Sequence, residues 1–302
     1  MELVFYIWLG YGPISVLLSV ISLYALYRWK EFKSPFYRLV QCDLIINIVC
    51  YLHTWLKRIS TDPELSRILI PMVVNAEFLL QINDFMSQCF YHIQSGSLLI
   101  KCVFRYTVAA KVEGPEIWKR NYPVIYLLTL IFSILYTLPY AFVSQLKTVF
   151  YNSTTDTITY SRNPWGCLYW IMDIQVGVYL LLTISIGIAT WRKIKREWNA
   201  AVALRKRVTL VIMIDAIIHI AVWLWHYLPR HIDMSTHDRK VLLFCVSDWI
   251  SCSTPYVLFL FDTMFRRSFT SRLFRRFRKP PKPTVGQVGH GTNVASHMTM
   301  RF

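Results

Sequence analysis

The sequence has little charge and little glycine for its length. Of its 302 residues, 17% are charged and ten are glycine, whereas 55% are hydrophobic and 16% are aromatic. A soluble domain of this size needs more charge on its surface, so the composition excludes an ordinary soluble protein and indicates contact with lipid. Acidic residues are fewer than basic ones, with 17 Asp and Glu against 33 Lys and Arg. The net charge is therefore +16.

The sequence also lacks the motifs of common catalytic and metal sites. It contains no cysteine pairs at metal-binding spacing, no glycine-rich phosphate loop and no serine elbow. Its histidines are scattered, and no carboxylate pair marks a catalytic centre. We therefore expect a protein that is not an enzyme and has no metal or cofactor. The basic charge lies in short loops between apolar runs, so it does not indicate a nucleic-acid partner.

Seven apolar runs are each long enough to cross a membrane. A hydrocarbon core of about 30 Å requires roughly 20 helical residues. The runs extend over residues 3–27, 36–56, 78–104, 123–143, 168–191, 208–228 and 241–261. They predict an all-α integral membrane protein, with a seven-transmembrane helix bundle over residues 1–264.

The loops between the runs predict how the bundle is oriented. Most Lys and Arg follow the first, third, fifth and seventh runs, and such residues prefer the cytoplasmic side. The bias predicts an N-terminus outside and a C-terminus inside. Asn152 begins the glycosylation sequon Asn152-Ser153-Thr154 between the fourth and fifth runs, which this orientation puts outside. We therefore expect a glycoprotein carrying its sugar at Asn152.

Short motifs near the helix ends resemble those of a known receptor family. They are Phe36-Tyr37-Arg38-Leu39, Arg105, Pro115-Glu116-Ile117-Trp118-Lys119, Pro255-Tyr256 and Phe261-Asp262. In these motifs the sequence resembles the nematode serpentine chemoreceptors, of class gamma or a sister class such as class V. The resemblance implies a receptor that detects small molecules and couples to a heterotrimeric G protein, in the plasma membrane and specifically the ciliary membrane of sensory neurons. A seven-helix transporter or channel is the alternative.

Polar side chains within the apolar runs are the candidate functional residues, because ionisable groups at membrane depth usually face the bundle interior. We expect the small-molecule ligand to bind in the outer half of the bundle. The candidate ligand-binding residues are Asp84, Gln88 and His92 in the third run, Trp223 and His226 in the sixth, and Asp248 in the seventh. The alternative is that these residues only form hydrogen bonds between helices.

A second set of polar residues lies nearer the inner end. Asp43 and Asn47 share a face of the second helix, as do Asp215 and His219 in the sixth. They are expected either to form a polar centre that rearranges on activation or simply to pair and so avoid desolvation. Arg105 is a candidate contact for the G protein or a boundary arginine. Lys101, near the inner end of the third helix, is expected to extend to the membrane interface.

The remaining predictions concern the cysteines and the C-terminal segment. Cys89 and Cys167 are the pair placed for a possible disulfide on the outer, oxidising side. In residues 265–279, apolar side chains recur every four positions among arginines, which predicts a basic amphipathic helix on the anionic inner leaflet. The alternative there is a flexible basic tail. Residues 280–302 are rich in small and polar residues and are expected to be a disordered cytoplasmic tail.

Overall fold

The computed structural model describes residues 3–61, 65–75, 78–110, 114–144, 149–152, 157–160, 167–196, 202–227 and 236–277. In chain order these residues form α1 (Leu3–Arg28), the 3₁₀ turn η1 (Lys30–Phe32), α2 (Pro35–Thr61), α3 (Ser66–Asn75), α4 (Phe78–Ala109), α5 (Gly114–Ser144), β1 (Val149–Asn152), β2 (Thr157–Tyr160), α6 (Cys167–Arg196), α7 (Val202–Tyr227), α8 (Thr236–Phe261) and α9 (Thr263–Phe277).

Seven of these helices, α1, α2 and α4 to α8, are long enough to cross a membrane. They contain 26 to 32 residues, and 26 residues extend about 39 Å at the usual helical rise. The predicted all-α, seven-helix architecture is therefore confirmed. The chain adds one small feature, an antiparallel hairpin in which Val149 of β1 lies opposite Tyr160 of β2. Both strands are rich in β-branched and aromatic residues, which favour extended backbone.

Hydropathy separates the long helices into two kinds. Among the described residues, the stretches Phe5–Arg28, Pro35–Leu56, Ile117–Pro139 and Phe244–Phe261 have both the length and the hydropathy of a membrane span. Helix α4 is less apolar because it carries side chains such as Gln94 and Lys101, yet both of these are buried. These two polar side chains therefore contact other helices and not lipid, as expected for polar residues at membrane depth.

Several helices extend beyond the apolar runs that predicted them, and α2 and α5 are two examples. Helix α2 continues to Thr61, although the run ends at residue 56, and α5 begins at Gly114, although the run begins at residue 123. The first turns of α5 are anchored by Trp118, whose ring meets Phe104 edge to face at 5.4 Å and whose Nε1 donates to Thr107 at 3.0 Å. A search for membrane-length apolar runs cannot find such polar extensions.

Helices α4 and α8 are the central elements of the bundle. Helix α4 contacts α2, α5, α6 and α7, and α8 contacts α1, α2, α7 and α9. Helices α4 and α5 approach closely at Gly96, where a Cβ atom would lie 2.7 Å from Thr129 Cγ2. Small residues allow such close approach between membrane helices. We call the end of the bundle that carries α3 and the hairpin the N-terminal face, and the end that carries η1 and α9 the C-terminal face.

Helix α9 is held against the C-terminal face by a cap and by aromatic packing. The Asp262 carboxylate accepts hydrogen bonds from the backbone N–H groups of Met264 and Phe265 at 2.9 and 3.0 Å, which caps the helix. Phe265 is fully buried, and its ring lies 5.6 Å from that of Phe32 in η1. Phe265 and Phe269, which belong to the apolar face predicted to lie on the membrane, therefore pack on the bundle. The side chains of Leu273 and Phe277, on the same face, lie outside the described residues.

Candidate functional site

In the part of the chain that the structure describes, two groups of buried ion-paired residues lie inside the bundle, one toward each face. The group nearer the C-terminal face, called the lysine cluster here, consists of Asp43, Lys101 and Asp215. Lys101 Nζ lies 2.9 Å from Asp43 Oδ2 and 2.8 Å from Asp215 Oδ2. Only 2% of Lys101 is exposed, so the expectation that it extends to the membrane interface is wrong. Two carboxylates reach its ammonium from α2 and α7, and this pairing offsets the cost of burying it.

Hydrogen bonds surround the Asp43 carboxylate in the lysine cluster. Ser97 donates to Asp43 Oδ1 at 2.6 Å, while Thr254 and the Asn47 side chain donate to Oδ2 at 3.2 and 3.3 Å. With Lys101, this carboxylate is therefore contacted by side chains of α2, α4 and α8. Such charge-assisted hydrogen bonds stabilise a buried carboxylate and fix how the helices are rotated against one another.

A chain of neutral polar groups continues from the lysine cluster toward the N-terminal face. Gln94 Nε2 donates to Asn47 Oδ1 at 2.8 Å and to Ser251 Oγ at 3.1 Å. The Cys50 thiol donates to Gln94 Oε1 at 3.4 Å. On the other side, the Tyr126 hydroxyl of α5 lies 2.9 Å from Ser97 Oγ. Buried polar groups of α2, α4, α5 and α8 thus form one connected network.

The lysine cluster carries more negative than positive charge. Asp43 and Asp215 together contribute two carboxylates, and Lys101 contributes one ammonium. His219, one helical turn from Asp215, has Nδ1 2.9 Å from the Asp215 carbonyl oxygen. Asp215 Oδ1 has no hydrogen-bond partner among the described residues. The structure thus brings together four of the predicted activation residues, Asp43, Asn47, Asp215 and His219.

The second group, called the arginine cluster here, lies nearer the N-terminal face and consists of Tyr11, Arg58 and Asp248. Arg58 forms an ion pair with Asp248 through Nη2 and Oδ1, and the Tyr11 hydroxyl donates to Asp248 Oδ2. Arg58 is fully buried and Asp248 nearly so. This cluster is electrically neutral and joins α1, α2 and α8.

Aromatic rings enclose the Arg58 guanidinium. Its Cζ lies 4.8 Å from the ring centre of Trp8, 5.1 Å from Tyr51, 5.3 Å from Trp55 and 5.9 Å from Phe244. These distances allow cation–π attraction, which is strongest where water is excluded. Within the described part of the chain, Arg58 Nε and Nη1 have no hydrogen-bond partner, so the rings supply much of the stabilisation of this cation.

A cavity of about 450 Å³ borders the arginine cluster. Its walls come from α1, α7 and α8: Ile7, Tyr11, Ser15, Ile218, Cys245, Asp248, Trp249, Cys252, Ser253 and Tyr256. A second cavity among α4, α6, α7 and α8, next to Ser95 and His219, has a volume of about 30 Å³, the space of a single water molecule. Of these two cavities, only the larger has the size of a small-molecule site.

Three of the predicted ligand-binding residues, Gln88, His92 and Asp248, have described side chains, and of these only Asp248 lines the larger cavity. Asp248 belongs to the arginine cluster. His92 is buried on α4, where its ring meets that of Tyr136 of α5 at 5.1 Å. Gln88 is half-buried one turn before it. The side chains of Asp84, Trp223 and His226 lie outside the described residues, so their part in a ligand site stays a prediction.

Of the two cysteines of the predicted disulfide, Cys89 and Cys167, only the first has a described side chain. Cys89 carries a free thiol, buried in an apolar group with Cys50, Phe90 and Ile93. It therefore packs as a small hydrophobic residue below the N-terminal face. The side chain of Cys167 lies outside the described residues.

Arg105 and Asn152 complete the predicted set. Arg105 is buried four residues beyond Lys101, toward the C-terminal face, and its role in G-protein contact stays a prediction. Asn152 is the last residue of β1, and its side chain lies outside the described residues.

The sequence contains signals for the residues that were missed. Tyr51, Trp55 and Arg58 occur at positions i, i+4 and i+7 of α2, so they share one helix face. Gln94, Ser97 and Lys101 are similarly spaced on α4, and this stripe contacts α2, α7 and α8. The sequence also offers the stripe of Asp84, Gln88 and His92 on the same helix. Which of the two stripes faces the other helices depends on the rotation of α4 about its axis.

Seven long helices with ion pairs buried between them define an integral membrane helix bundle. A family model described as Srg family chemoreceptor matches residues 5–269. The chain therefore belongs to the Srg family of chemoreceptors, which confirms the resemblance to nematode serpentine receptors.

Three curated relatives from Caenorhabditis elegans are serpentine receptors of class gamma. Serpentine receptor class gamma-53 is 27% identical over 279 residues, which cover 88% of this chain and 91% of the relative. Serpentine receptor class gamma-47 is 24% identical over 278 residues, which cover 86% of this chain and 87% of the relative. Serpentine receptor class gamma-31 is 25% identical over 291 residues, which cover 85% of this chain and 88% of the relative. The similarity thus extends over most of both chains.

Proposed function

We propose that this membrane chemoreceptor signals through a heterotrimeric G protein and binds its small-molecule ligand in the cavity beside Asp248. The observation that carries the proposal is the contact between a cavity of ligand size and the buried arginine cluster. Membership of the Srg chemoreceptor family supports the receptor role. The ligand-binding half of the bundle is then the half toward the N-terminal face, which faces outward.

Helix α8 links the ligand cavity to the lysine cluster. It carries Asp248, Ser251 and Thr254 at positions i, i+3 and i+6. Asp248 contacts Arg58, Ser251 accepts from Gln94, and Thr254 donates to the Asp43 carboxylate. A ligand that shifts or rotates α8 at Asp248 therefore alters the hydrogen bonds of Asp43 as well. A rigid helix in contact with two sites is a physical route for coupling them.

The G protein is proposed to bind the C-terminal face. That face presents exposed arginines of α9, including Arg266, Arg267 and Arg272, and the predicted contact residue Arg105 lies near it. These cations also suit an anionic inner leaflet, which supports a cytoplasmic position for this face. The receptor then resides in the plasma membrane with its N-terminus outside, in the ciliary membrane if it serves a sensory neuron.

Nucleotide exchange on a panel of G proteins, measured with the full chain in lipid nanodiscs and with odorant mixtures, tests this function. Thr254→Val removes the hydroxyl that donates to Asp43, and we expect a shift of up to about tenfold in the odorant concentration giving half-maximal exchange. Thr137→Val is the matched control, because the buried Thr137 hydroxyl donates to the Ser133 carbonyl oxygen of its own helix. Solute flux without nucleotide exchange would contradict the proposal and favour a transporter or channel.

The orientation has its own test. In cells, glycosidase should lower the apparent mass of the parent chain but not that of Asn152→Gln, which lacks the glycan. An epitope added after Phe302 should be stained only in permeabilised cells. Staining of that epitope on intact cells would reverse the proposed orientation.

A further inference from the structure

The cavity beside the arginine cluster opens sideways, toward the lipid. Its walls on α1 and α8 fall within Phe5–Arg28 and Phe244–Phe261, two stretches with the hydropathy of membrane spans. Ile7 is 52% exposed and Trp249 is 62% exposed, so both lie on the outer surface of the bundle. At membrane depth this surface faces acyl chains. We propose that the cavity takes an uncharged lipophilic alcohol that enters from the bilayer; this ligand class and route rest on the proposed function.

The charges at the cavity decide between neutral and ionic ligands. Asp248 is the carboxylate in the wall, and the Arg58 guanidinium already pairs with it from the bundle side. The sum of the two charges is zero. A ligand ammonium or carboxylate would therefore enter a poorly solvated site without a counter-charge, which is strongly unfavourable. A neutral ligand avoids this cost.

The hydroxyl groups of the cavity favour a ligand that donates a hydrogen bond. Tyr11 already donates to Asp248. Ser15 Oγ donates to the Tyr11 carbonyl oxygen at 2.9 Å and lies 2.9 Å from the Tyr256 hydroxyl, so Tyr256 is the donor in that second bond. The Tyr256 oxygen then keeps a lone pair for an incoming donor. A hydroxyl is the simplest neutral group that can donate to it, and the remaining apolar walls suit a hydrocarbon body.

Photolabelling of the purified full chain in nanodiscs tests the proposal. The probe is a twelve-carbon alcohol with a diazirine in its chain, used beside the amine and the carboxylic acid of the same length. We expect the alcohol to label peptides of α1 and α8 around Ile7–Ser15 and Cys245–Tyr256 at least about tenfold more than the two ionic probes. A tenfold difference in affinity corresponds to about 1.4 kcal/mol, and burying an uncompensated charge costs more than that.

Two residues of α1 provide a matched pair of variants. Ile7→Trp fills the cavity mouth, whereas Leu9→Trp adds the same bulk on the opposite side of the helix, where Leu9 is 45% exposed and does not line the cavity. Ile7→Trp should remove the labelling and Leu9→Trp should keep it. Tyr256→Phe should weaken alcohol labelling by about three- to tenfold, the effect of one lost hydrogen bond.

The outcomes separate the ligand class from the receptor function. Labelling spread evenly over all exposed helix faces, a preference for an ionic probe, or equal loss in both tryptophan variants would overturn the neutral, lateral site. Nucleotide exchange that persists in Ile7→Trp would also overturn it while leaving the receptor function intact. Specific labelling without nucleotide exchange on any G protein would leave the site standing and refute the proposed signalling.

Discussion

The lysine cluster and the arginine cluster solve the same physical problem in different ways. Each buries a cation inside a membrane bundle, where an unpaired charge is very costly. The lysine cluster places Lys101 between two carboxylates and surrounds Asp43 with hydroxyl and amide donors. The arginine cluster gives Arg58 a single carboxylate and encloses its guanidinium with four aromatic rings.

The difference follows from the chemistry of the two cations. An ammonium is a compact, strongly hydrated charge that needs close oxygen atoms, whereas a guanidinium is planar, weakly hydrated and stacks on rings. The lysine cluster therefore depends on polar groups from several helices and is sensitive to their relative positions. The arginine cluster is neutral and keeps its charge inside an apolar enclosure, so it suits the wall of a ligand cavity.

The largest expected effect comes from removing the cation of the lysine cluster. Lys101→Met leaves Asp43 and Asp215 buried without a counter-ion and should lower the free energy of unfolding by about 3–5 kcal/mol. Unfolding of the purified receptor in mixed micelles measures this change. Asp215→Asn is the control, because it leaves one carboxylate for one ammonium and should cost less than about 2 kcal/mol. If Asp215→Asn were as harmful as Lys101→Met, the excess negative charge would not be the reason for the loss.

A smaller effect is expected when the ring contacts of Arg58 are removed and its charge is kept. Arg58→Lys retains a cation for Asp248 but loses the planar group that faces Trp8, Tyr51 and Trp55, at a cost of about 1–2 kcal/mol. Arg58→Gln also removes the charge and should cost about 2–4 kcal/mol, because Asp248 keeps only the Tyr11 donor. The same micelle assay compares them. Equal losses in both variants would show that the retained charge adds no stability and that the planar group accounts for the whole loss.

These two cations also show how far the sequence alone could predict the molecule. Hydropathy predicts seven helices because each must satisfy its own backbone in lipid, and this is a local property. Which side chains meet across helices depends on the rotation of each helix, which the sequence does not specify. The position of Lys101 near the end of a run therefore predicts that it extends to the membrane interface. Hydropathy alone likewise puts Arg58 in a loop, because it follows the run that ends at residue 56, yet both side chains are buried. Asp43 and Asn47 were grouped correctly because their proximity lies within a single helix turn.

A third prediction concerns the packing beneath the arginine cluster, at Gly12 of α1. The Tyr51 hydroxyl occupies the position where a Cβ on Gly12 would lie, so Gly12→Ala must displace a ring that faces Arg58. We expect a loss of about 1–3 kcal/mol in the free energy of unfolding. Gly10→Ala is the control on the same helix, since a Cβ there meets no atom within 4 Å and alanine favours the helix by up to about 1 kcal/mol. Equal changes at both glycines would contradict the close contact with Tyr51.

The smallest effect is expected at an ion pair outside the membrane, which serves as the solvent-exposed counterpart of the arginine cluster. Arg272 of α9 lies 2.6 Å from Glu31 Oε1 of η1 and 4.6 Å from the Trp29 ring centre, with both charged side chains about 40% exposed. Water and salt screen this pair, so Glu31→Gln should cost less than about 1 kcal/mol, and the cost should shrink further in high salt.

The pH dependence of this pair gives a further check on its strength. The Glu31 backbone N–H and, to a smaller extent, the Arg272 guanidinium lower the pKa of the Glu31 carboxyl. A lowered folded-state pKa means that the stabilisation is complete above the ordinary pKa of a glutamate and is lost as the pH falls through the lowered value. The difference in stability between the parent chain and Glu31→Gln should therefore be constant near neutral pH and vanish only in acid. A difference that is already lost at pH values above about 5 would mean that the ionised carboxylate is not the group that holds α9 to η1.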